Sequence, residues 1–170
     1  MRNGKYVRKT SETDIEVSIN LNGSGKSDLA TGIGFFDHML DQLARHSMVD
    51  LRIRALGDLH IDDHHTVEDV GICIGKALSE SLGDKNGINR YASTLLPMDD
   101  ALIQVALDFS GRPYLSWQVK FPTNKIGTFD TELFEEFFRS VSSSAGLTLH
   151  IKKISGINSH HIGEAVFKAV

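Results

Sequence analysis

The sequence predicts an α+β domain in which one ββαβα unit occurs twice, with the helices packed between two sheets. Three observations support this fold class. Apolar and polar residues alternate in several short segments, as in half-buried strands. Other segments carry apolar residues at helical spacing. Both kinds of segment recur in the same order along the chain, and a His-His-x-x-Glu string occurs at residues 64–68 and again at residues 160–164.

The first half of the chain contains the segments of one unit. Alternation indicates a strand that carries Ile15, Val17, Ile19 and Leu21. A turn rich in Gly, Ser, Asn and Asp follows at residues 22–28, and helical spacing then predicts a helix over residues 35–46. A further strand covers residues 51–55. The second helix begins at the first His-His string and has a buried stripe of Val67, Val70, Ile74, Leu78 and Leu82.

The second half repeats this order. Strands are predicted near residues 102–107, 115–121 and 147–151, a helix over residues 131–145, and a last helix from His160. With a boundary near residues 89–93, we expect a single domain, residues 1–170, built from units of about 1–90 and 91–170. The second unit is expected to be truncated in its last helix, because the apolar stripe stops at Val170.

Composition excludes several classes of protein. The net charge is −4 with neutral histidines, and no basic run suggests a nucleic-acid partner. No apolar stretch approaches the roughly 20 residues that span a bilayer, so no membrane partner is expected. The polar N-terminus does not resemble a secretory signal. Cys73 is the only cysteine, which rules out a disulfide within the chain and favours a reducing, cytoplasmic setting.

The duplicated string points to metal binding. On a helix, His64 and Glu68 share one face, whereas His65 points about 100° away. The same holds for residues 160–164. We therefore expect two mixed sites, each built from the His/Glu pair of one helix and the remaining, or odd, histidine of the other, which is His65 or His161. His38 is a plausible extra ligand. One such string alone is more often a surface helix start, but two copies in a repeat favour Mn, Fe, Zn or Ni.

Other polar side chains have less specific interpretations. Asp63 and Ser159 are candidate N-caps of the two ligand helices. The remaining carboxylates around the first string are expected to be caps or solvated groups: Glu12, Asp62 and Asp69. Three histidines are expected to be structural or surface residues: His46, His60 and His150. For two arginines at turns, the sequence fits equally well a structural partner at a strand end and a bidentate phosphate contact: Arg90 and Arg112.

Five strings carry a resemblance to a known family. They are GIGFFDHMLDQL at residues 32–43, GDLHIDDHHTVED at 57–69, SGRPY at 110–114, TFDTEL at 128–133 and NSHHIGEA at 158–165. These strings run through nearly the whole chain in order. On them the sequence resembles the imidazoleglycerol-phosphate dehydratase family.

The resemblance implies a fold, an assembly and an activity. The fold is a doubled β/α unit of the ribosomal protein S5 domain 2-like class. The assembly is a 24-subunit shell whose active sites are completed by neighbouring subunits. The reaction, a hydro-lyase step of histidine biosynthesis, converts imidazole glycerol phosphate to imidazole acetol phosphate. Each active site of the family uses two Mn²⁺ ions.

The resemblance also implies roles for individual residues. The implied metal ligands are His38, His64, His65, Glu68, His160, His161 and Glu164. The implied substrate contacts are Glu12, Arg90, Arg112 and Lys168, with the three cations near the phosphate. Glu12, Glu68 and Glu164 are the expected catalytic carboxylates, and Glu12 is the expected base for the carbon-bound proton.

Three features depart from the family pattern. Glu136 stands where many relatives carry a ligand histidine, so a carboxylate ligand and a solvated helix residue both stay open. Gly163 lies inside the second ligand helix, where glycine costs about 1 kcal/mol relative to alanine. The chain also ends soon after Lys168. An alternative is therefore a truncated, catalytically impaired metal-binding or assembly form, and a third reading is a zinc hydrolase.

Overall fold

A computed structural model describes residues 2–170 of the chain. The first half contains four strands and two helices, in the order β1 (Asn3–Lys9), β2 (Thr13–Asn20), β3 (Ser27–Ala30), α1 (Gly34–Ser47), β4 (Asp50–Gly57) and α2 (His64–Leu82). The second half follows as β5 (Tyr91–Met98), β6 (Ala101–Asp108), β7 (Tyr114–Gln118), β8 (Lys125–Ile126), β9 (Phe129–Asp130), α3 (Leu133–Ala145), β10 (Thr148–Ser155) and α4 (Ser159–Ala169).

The two halves form sheets of the same topology. The first sheet has the order β1-β2-β4-β3 and the second has the order β5-β6-β10-β7. In each sheet the first three strands are antiparallel and the last strand is parallel to its neighbour. The predicted ββαβα order is thereby confirmed, with one further edge strand in front of each unit and a short β8–β9 hairpin inserted into the second.

The four helices lie between the two sheets, as predicted. The first sheet packs on α2 and α1, the second packs on α3 and α4, and the helix layers meet as the pairs α2–α3 and α1–α4. The inward-facing side chains of both sheets and of all four helices form one apolar cluster. Because this cluster includes residues of both halves, burial of apolar surface holds the halves together.

Glycines allow α2 and α3 to approach closely. A Cβ at Gly71 would lie 2.9 Å from the Phe137 carbonyl oxygen, and a Cβ at Gly75 would lie 2.6 Å from Ser144 Cβ. Both distances are shorter than normal contacts, so a side chain at either position would push the helices apart. The small residues therefore set the distance between the two halves.

The packing of Gly163 differs from the sequence-based expectation. Its Cα faces the ring of Phe134, and a Cβ there would come within 2.4 Å of Cζ. Phe134 is fully buried and is surrounded by other aromatic rings, those of Phe35, Phe121, Phe129 and Phe167. Gly163 is thus required by close packing, and the helix around it is well formed from Ser159 to Ala169.

The core is less completely filled at the opposite end of the helix layers. An apolar cavity of about 330 Å³ opens there between the two halves, and its lining includes Leu43, Leu78, Phe138, Leu147 and Val170. The starts of α2 and α4, which carry the predicted ligands, lie at the other, better-packed end of the core.

No helix in residues 2–170 is both long and apolar enough to cross a membrane.

Replacing Gly163 by alanine should destabilise the protein. Helix propensity alone would stabilise the variant by about 1 kcal/mol. The contact with the buried Phe134 ring costs more, since overpacking a filled core typically costs about 1–3 kcal/mol. We therefore expect a net loss of stability, measured as a lower free energy of unfolding in denaturant titrations.

The matched control is the double variant Gly163→Ala/Phe134→Leu. Because leucine leaves room for the new methyl group, Gly163→Ala should cost less in the Phe134→Leu background than in the native one. Equal costs in both backgrounds would contradict the packing explanation.

Candidate metal centre

The first group of possible ligands joins α1 to the start of α4. His160 and Glu164 lie one turn apart on α4, with 3.1 Å between His160 Nε2 and Glu164 Oε2. His38 of α1 approaches the same carboxylate oxygen, at 3.4 Å from its Nε2. One donor atom from each of the three residues lies within 4.8 Å of the others. Two imidazoles and one carboxylate thus converge on one place.

The second group joins α2 to α3 in the same manner. His64 Nε2 and Glu68 Oε2, one turn apart on α2, are separated by 3.8 Å. Glu136 of α3 completes this group, again with donor atoms within 4.8 Å of one another. The sequence had left Glu136 open between a ligand and a solvated residue, and the structure places it in the position that corresponds to His38 in the first group.

Each group combines residues of both halves. The His/Glu pair of the first half on α2 meets Glu136 of the second half, and the pair of the second half on α4 meets His38 of the first half. This crossing follows from the helix layers, since α2 packs on α3 and α1 packs on α4. Within residues 2–170, neither repeat alone brings three such donors together.

The ligand helices begin with side-chain hydrogen bonds. Asp63 stands at the N-cap position of α2, as predicted, but its side chain makes no capping hydrogen bond, and Asn158 rather than Ser159 is the N-cap of α4. Asp62, not Asp63, accepts a hydrogen bond from the backbone N–H of His64, at 2.8 Å. Asn158, not Ser159, accepts from the backbone N–H groups of His160 and His161. Asp62 and Asn158 are 96 residues apart, so the repeat uses equivalent side chains to fix the first turn of each ligand helix.

The odd histidines lie outside both groups. Among residues 2–170, His65 and His161 belong to neither cluster of three donors, so the predicted mixed sites do not form within one chain. Each instead contacts a carboxylate through Nδ1: His65 with Asp58 at 2.9 Å and His161 with Asp100 at 2.6 Å. The other three histidines, which are exposed, also lie outside the groups: His46, His60 and His150.

The β1–β2 hairpin is joined to the first ligand helix. Glu12 is exposed at its tip, where Thr10 Oγ1 accepts a hydrogen bond from the Glu12 backbone N–H. Asp69 of α2 is buried and accepts hydrogen bonds from Arg8 Nε at 2.8 Å and Thr13 Oγ1 at 2.5 Å. The sequence-based expectation that Asp69 is a cap or a solvated group is therefore wrong. Its side chain connects the β1–β2 hairpin to α2.

The predicted phosphate contacts lie in two places. Arg90 binds Asp108 in bidentate fashion, through Nε at 2.7 Å and Nη2 at 3.1 Å, and Arg112 lies 3.9 Å from the same carboxylate. Lys168 lies instead on α4 and pairs with Glu164 at 2.6 Å. The two arginines therefore share a strand-end partner, whereas the lysine belongs to the surroundings of the first ligand group.

The charge state of Glu164 suits a metal ligand. Burial opposes its ionisation, but hydrogen bonds from Lys168 and His160, together with the positive charge of Lys168, outweigh that effect and keep its pKa below the usual value. A carboxylate that stays ionised near neutral pH is available as an oxygen donor. Nitrogen and oxygen donors without a thiolate fit Mn²⁺, Fe²⁺ or Zn²⁺, so the residues present are compatible with a divalent ion in each group.

Comparison with known proteins identifies relatives over the whole chain. Residues 31–170 match the family model of imidazoleglycerol-phosphate dehydratase. The imidazoleglycerol-phosphate dehydratases of Dinoroseobacter shibae and Roseobacter denitrificans are 64% and 65% identical to the chain over 170 residues. In both comparisons the alignment covers 100% of this chain and 87% of the relative.

Solved structures of imidazoleglycerol-phosphate dehydratases have the same fold as this chain. The imidazoleglycerol-phosphate dehydratase of Staphylococcus aureus superimposes with a TM-score of 0.89 at 45% identity, covering 98% of this chain and 92% of the other. The enzyme from Pyrococcus furiosus, in complex with (S)-C348, gives a TM-score of 0.84 at 39% identity, covering 96% and 88%. These similarities extend the fold assignment to both repeats.

Glu136→Ala should weaken metal binding at the second group only. Loss of an outer-shell partner alone typically lowers metal affinity about 10- to 100-fold, so removal of a direct donor should cost at least about tenfold. Titration of Mn²⁺, followed by the electron paramagnetic resonance signal of the free ion, measures this affinity. Glu135→Ala is the matched control, because Glu135 lies beside Glu136 on α3 but pairs with Arg139. Equal affinities of the two variants would exclude Glu136 as a ligand.

Proposed function

The chain belongs to the imidazoleglycerol-phosphate dehydratase family, and we propose that its two ligand groups hold the divalent ions of that activity. The enzyme is a hydro-lyase that dehydrates imidazole glycerol phosphate to imidazole acetol phosphate in histidine biosynthesis. One observation carries the metal assignment: two histidine–carboxylate groups stand at equivalent places of an internal repeat. We propose two Mn²⁺ ions per active site, supplying Lewis-acid chemistry when bound.

The proposed ligand set extends beyond the two groups of a single chain. It consists of His38, His64, His65, Glu68, Glu136, His160, His161 and Glu164. Two of these, His65 and His161, lie in neither group of their own chain. We propose that they serve groups of neighbouring chains, which supports self-association, with the 24-subunit shell of the family as the full assembly. Glu68 and Glu164 would act at the reacting centre as its carboxylate ligands.

Glu12 is the proposed base. Its position at the exposed hairpin tip leaves the carboxylate accessible to a substrate. Hydrogen bonds with Ser11 and Thr10 and from its own backbone N–H keep its pKa below the usual value, and the nearby His65 acts in the same direction. The carboxylate is therefore ionised at neutral pH, the form that accepts the carbon-bound proton.

The two arginines proposed as phosphate contacts, Arg90 and Arg112, lie far from both ligand groups of the same chain. Lys85, just after the end of α2, donates a hydrogen bond to the Phe109 carbonyl, beside Arg90 and Asp108. The 19 residues of α2 separate this place from His64, which corresponds to about 27 Å at the helical rise per residue. A small phosphate ester does not span that distance.

The first ligand group, which contains His160, is also far from the arginines. Thr148, the first residue of β10, donates a hydrogen bond to the Arg112 carbonyl and pairs with Asp108. The eight residues of β10 then lead away from this place toward His160, over about 23 Å at the strand rise per residue. We infer that the arginines hold the phosphate of a substrate bound at the ligand groups of another chain.

Lys168 supports a different part of the proposed site. It lies one turn beyond Glu164 on the same face of α4 and is already paired with that carboxylate. A cation in this position can hold Glu164 ionised and also reach toward a phosphate at the edge of the ligand group. We therefore keep Lys168 among the proposed substrate contacts.

Neither alternative is favoured. The impaired form was suggested partly by Gly163, but this glycine packs against Phe134, and α4 forms its ligand group with His38. Family membership replaces the zinc-hydrolase interpretation with a lyase. A cytoplasmic location is our proposal, supported by the buried free thiol of Cys73, whose pKa burial raises to about 12.

Co-assembly of two inactive variants should restore activity. Arg112→Ala is expected to lose dehydration because the phosphate is held poorly, and His160→Ala is expected to lose it because a ligand group is incomplete. If a site takes its ligand groups and its arginine from different chains, an equal mixture contains intact sites, up to about a quarter of the total. The measurement is turnover of imidazole glycerol phosphate with Mn²⁺ after refolding the variants together.

The controls are each variant refolded alone and the native chain treated identically. An inactive native chain would overturn the proposed activity itself. Native activity without recovery in the mixture would refute the division of the site between chains while leaving the activity intact.

A further inference from the structure

The two histidines outside the ligand groups share one unexplained contact. Both His65 and His161 direct Nδ1 toward a carboxylate, although the carboxylates come from different elements. Asp58 follows β4, in the segment that leads into α2, whereas Asp100 lies in the hairpin between β5 and β6. The repeat therefore keeps the contact and changes the residue that makes it.

The geometry assigns the proton in these contacts to the histidines. Asp100 Oδ2 accepts the backbone N–H groups of Ile157, at 2.5 Å, and Asn158, at 3.0 Å, while Oδ1 faces His161. Because both oxygens act as acceptors, Nδ1 is the donor. In a neutral imidazole, Nε2 then carries the free lone pair, the atom that binds a metal ion.

The contact of Asp58 is equally specific. Its side chain is only 13% exposed, its Oδ2 accepts from His65 Nδ1, and its Oδ1 is buried without a hydrogen-bond partner in the described part of the chain. A buried oxygen without a partner is unfavourable. In the described part of the chain, the Asp58 side chain is therefore hydrogen-bonded only through its contact with His65.

We propose that Asp58 and Asp100 are positioning residues that fix His65 and His161 with Nε2 directed outward, as ligands for metal ions held by neighbouring copies of the chain. This inference rests on the proposed function, in which the two histidines are ligands. A carboxylate behind a ligand imidazole fixes its tautomer and ring orientation and makes it a stronger donor. A second carboxylate lies near His161. The exposed Asp99 is 3.6 Å from Nε2, the nitrogen that does not contact Asp100.

The two hairpin tips show how the repeats have diverged. Glu12 immediately precedes β2, and Asp100 immediately precedes β6, the corresponding strand of the other sheet. The carboxylate at this position orients a histidine in the second half. In the first half Asp58 makes that contact, and Glu12 stays exposed for its proposed role toward the substrate. The division leaves Glu12 as the hairpin-tip carboxylate of the equivalent pair that is available for the proposed proton transfer.

Alanine and asparagine variants at Asp58 and Asp100 test the proposal. Asp58→Ala and Asp100→Ala should each lower the Mn²⁺ affinity of the assembled protein roughly 10- to 100-fold. Asp58→Asn should recover most of the loss, because its amide oxygen still accepts from Nδ1–H. Asp28→Ala is the matched control, since Asp28 pairs with Arg54 on the surface of the first sheet and should leave Mn²⁺ affinity unchanged.

Thermal unfolding of the metal-free variants separates positioning from folding. Asp100 also binds the start of α4, so Asp100→Ala is expected to lower the midpoint, whereas Asp58→Ala removes a poorly satisfied group and should leave it nearly unchanged. The decisive variant is therefore Asp58→Ala. Unchanged Mn²⁺ affinity in Asp58→Ala, or an Asp58→Asn variant no better than alanine, would overturn the proposal.

His65→Ala distinguishes this failure from failure of the proposed function. If His65→Ala lowers Mn²⁺ affinity and Asp58→Ala does not, His65 is a ligand that needs no positioning residue. If His65→Ala itself leaves the affinity unchanged, the ligand role assigned to His65 under the proposed function is refuted, and the positioning role of Asp58 is refuted with it.

Discussion

The contact between α2 and α3 controls the distance between the two halves of the molecule. Gly71 and Gly75 present no side chain to α3, and a Cβ at either position would collide with the backbone or Cβ atoms of that helix. The close approach brings Glu136 beside His64 and Glu68. A wider separation would move α3 as a rigid unit and would carry Glu136 away from His64 and Glu68. Glu136 is the only donor that α3 contributes to this group in the described chain.

The crossed helix pairs make each ligand group depend on both halves of the chain. A single unit provides a His/Glu pair and one donor on a neighbouring helix, but these point to different groups. Three donors converge only when both halves are folded against each other, so metal affinity and the packing between halves are linked. A bound ion that prefers the folded state would in turn stabilise this arrangement by mass action.

The sequence predicted the parts of the fold that depend on local patterns. Alternation located β2, β4, β6 and β10, and helical spacing located all four helices. The edge strand β1 was missed, because its inward positions include Gly4 and the charged Arg8, which is partly exposed and pairs with the buried Asp69. Likewise, Asp58 and Asp100 lie in loops of different type, so no spacing in the sequence connects them to His65 and His161. Their positions depend on tertiary pairing of the hairpin and the helix starts.

The crossing of the two halves is tested most directly by locating the ions. Crystals grown with Mn²⁺ and measured at the manganese absorption edge give anomalous density only where the ion binds. The account predicts two peaks per chain, one at His38, His160 and Glu164 and one at His64, Glu68 and Glu136. Density at only one of these groups, or outside both, would contradict the account.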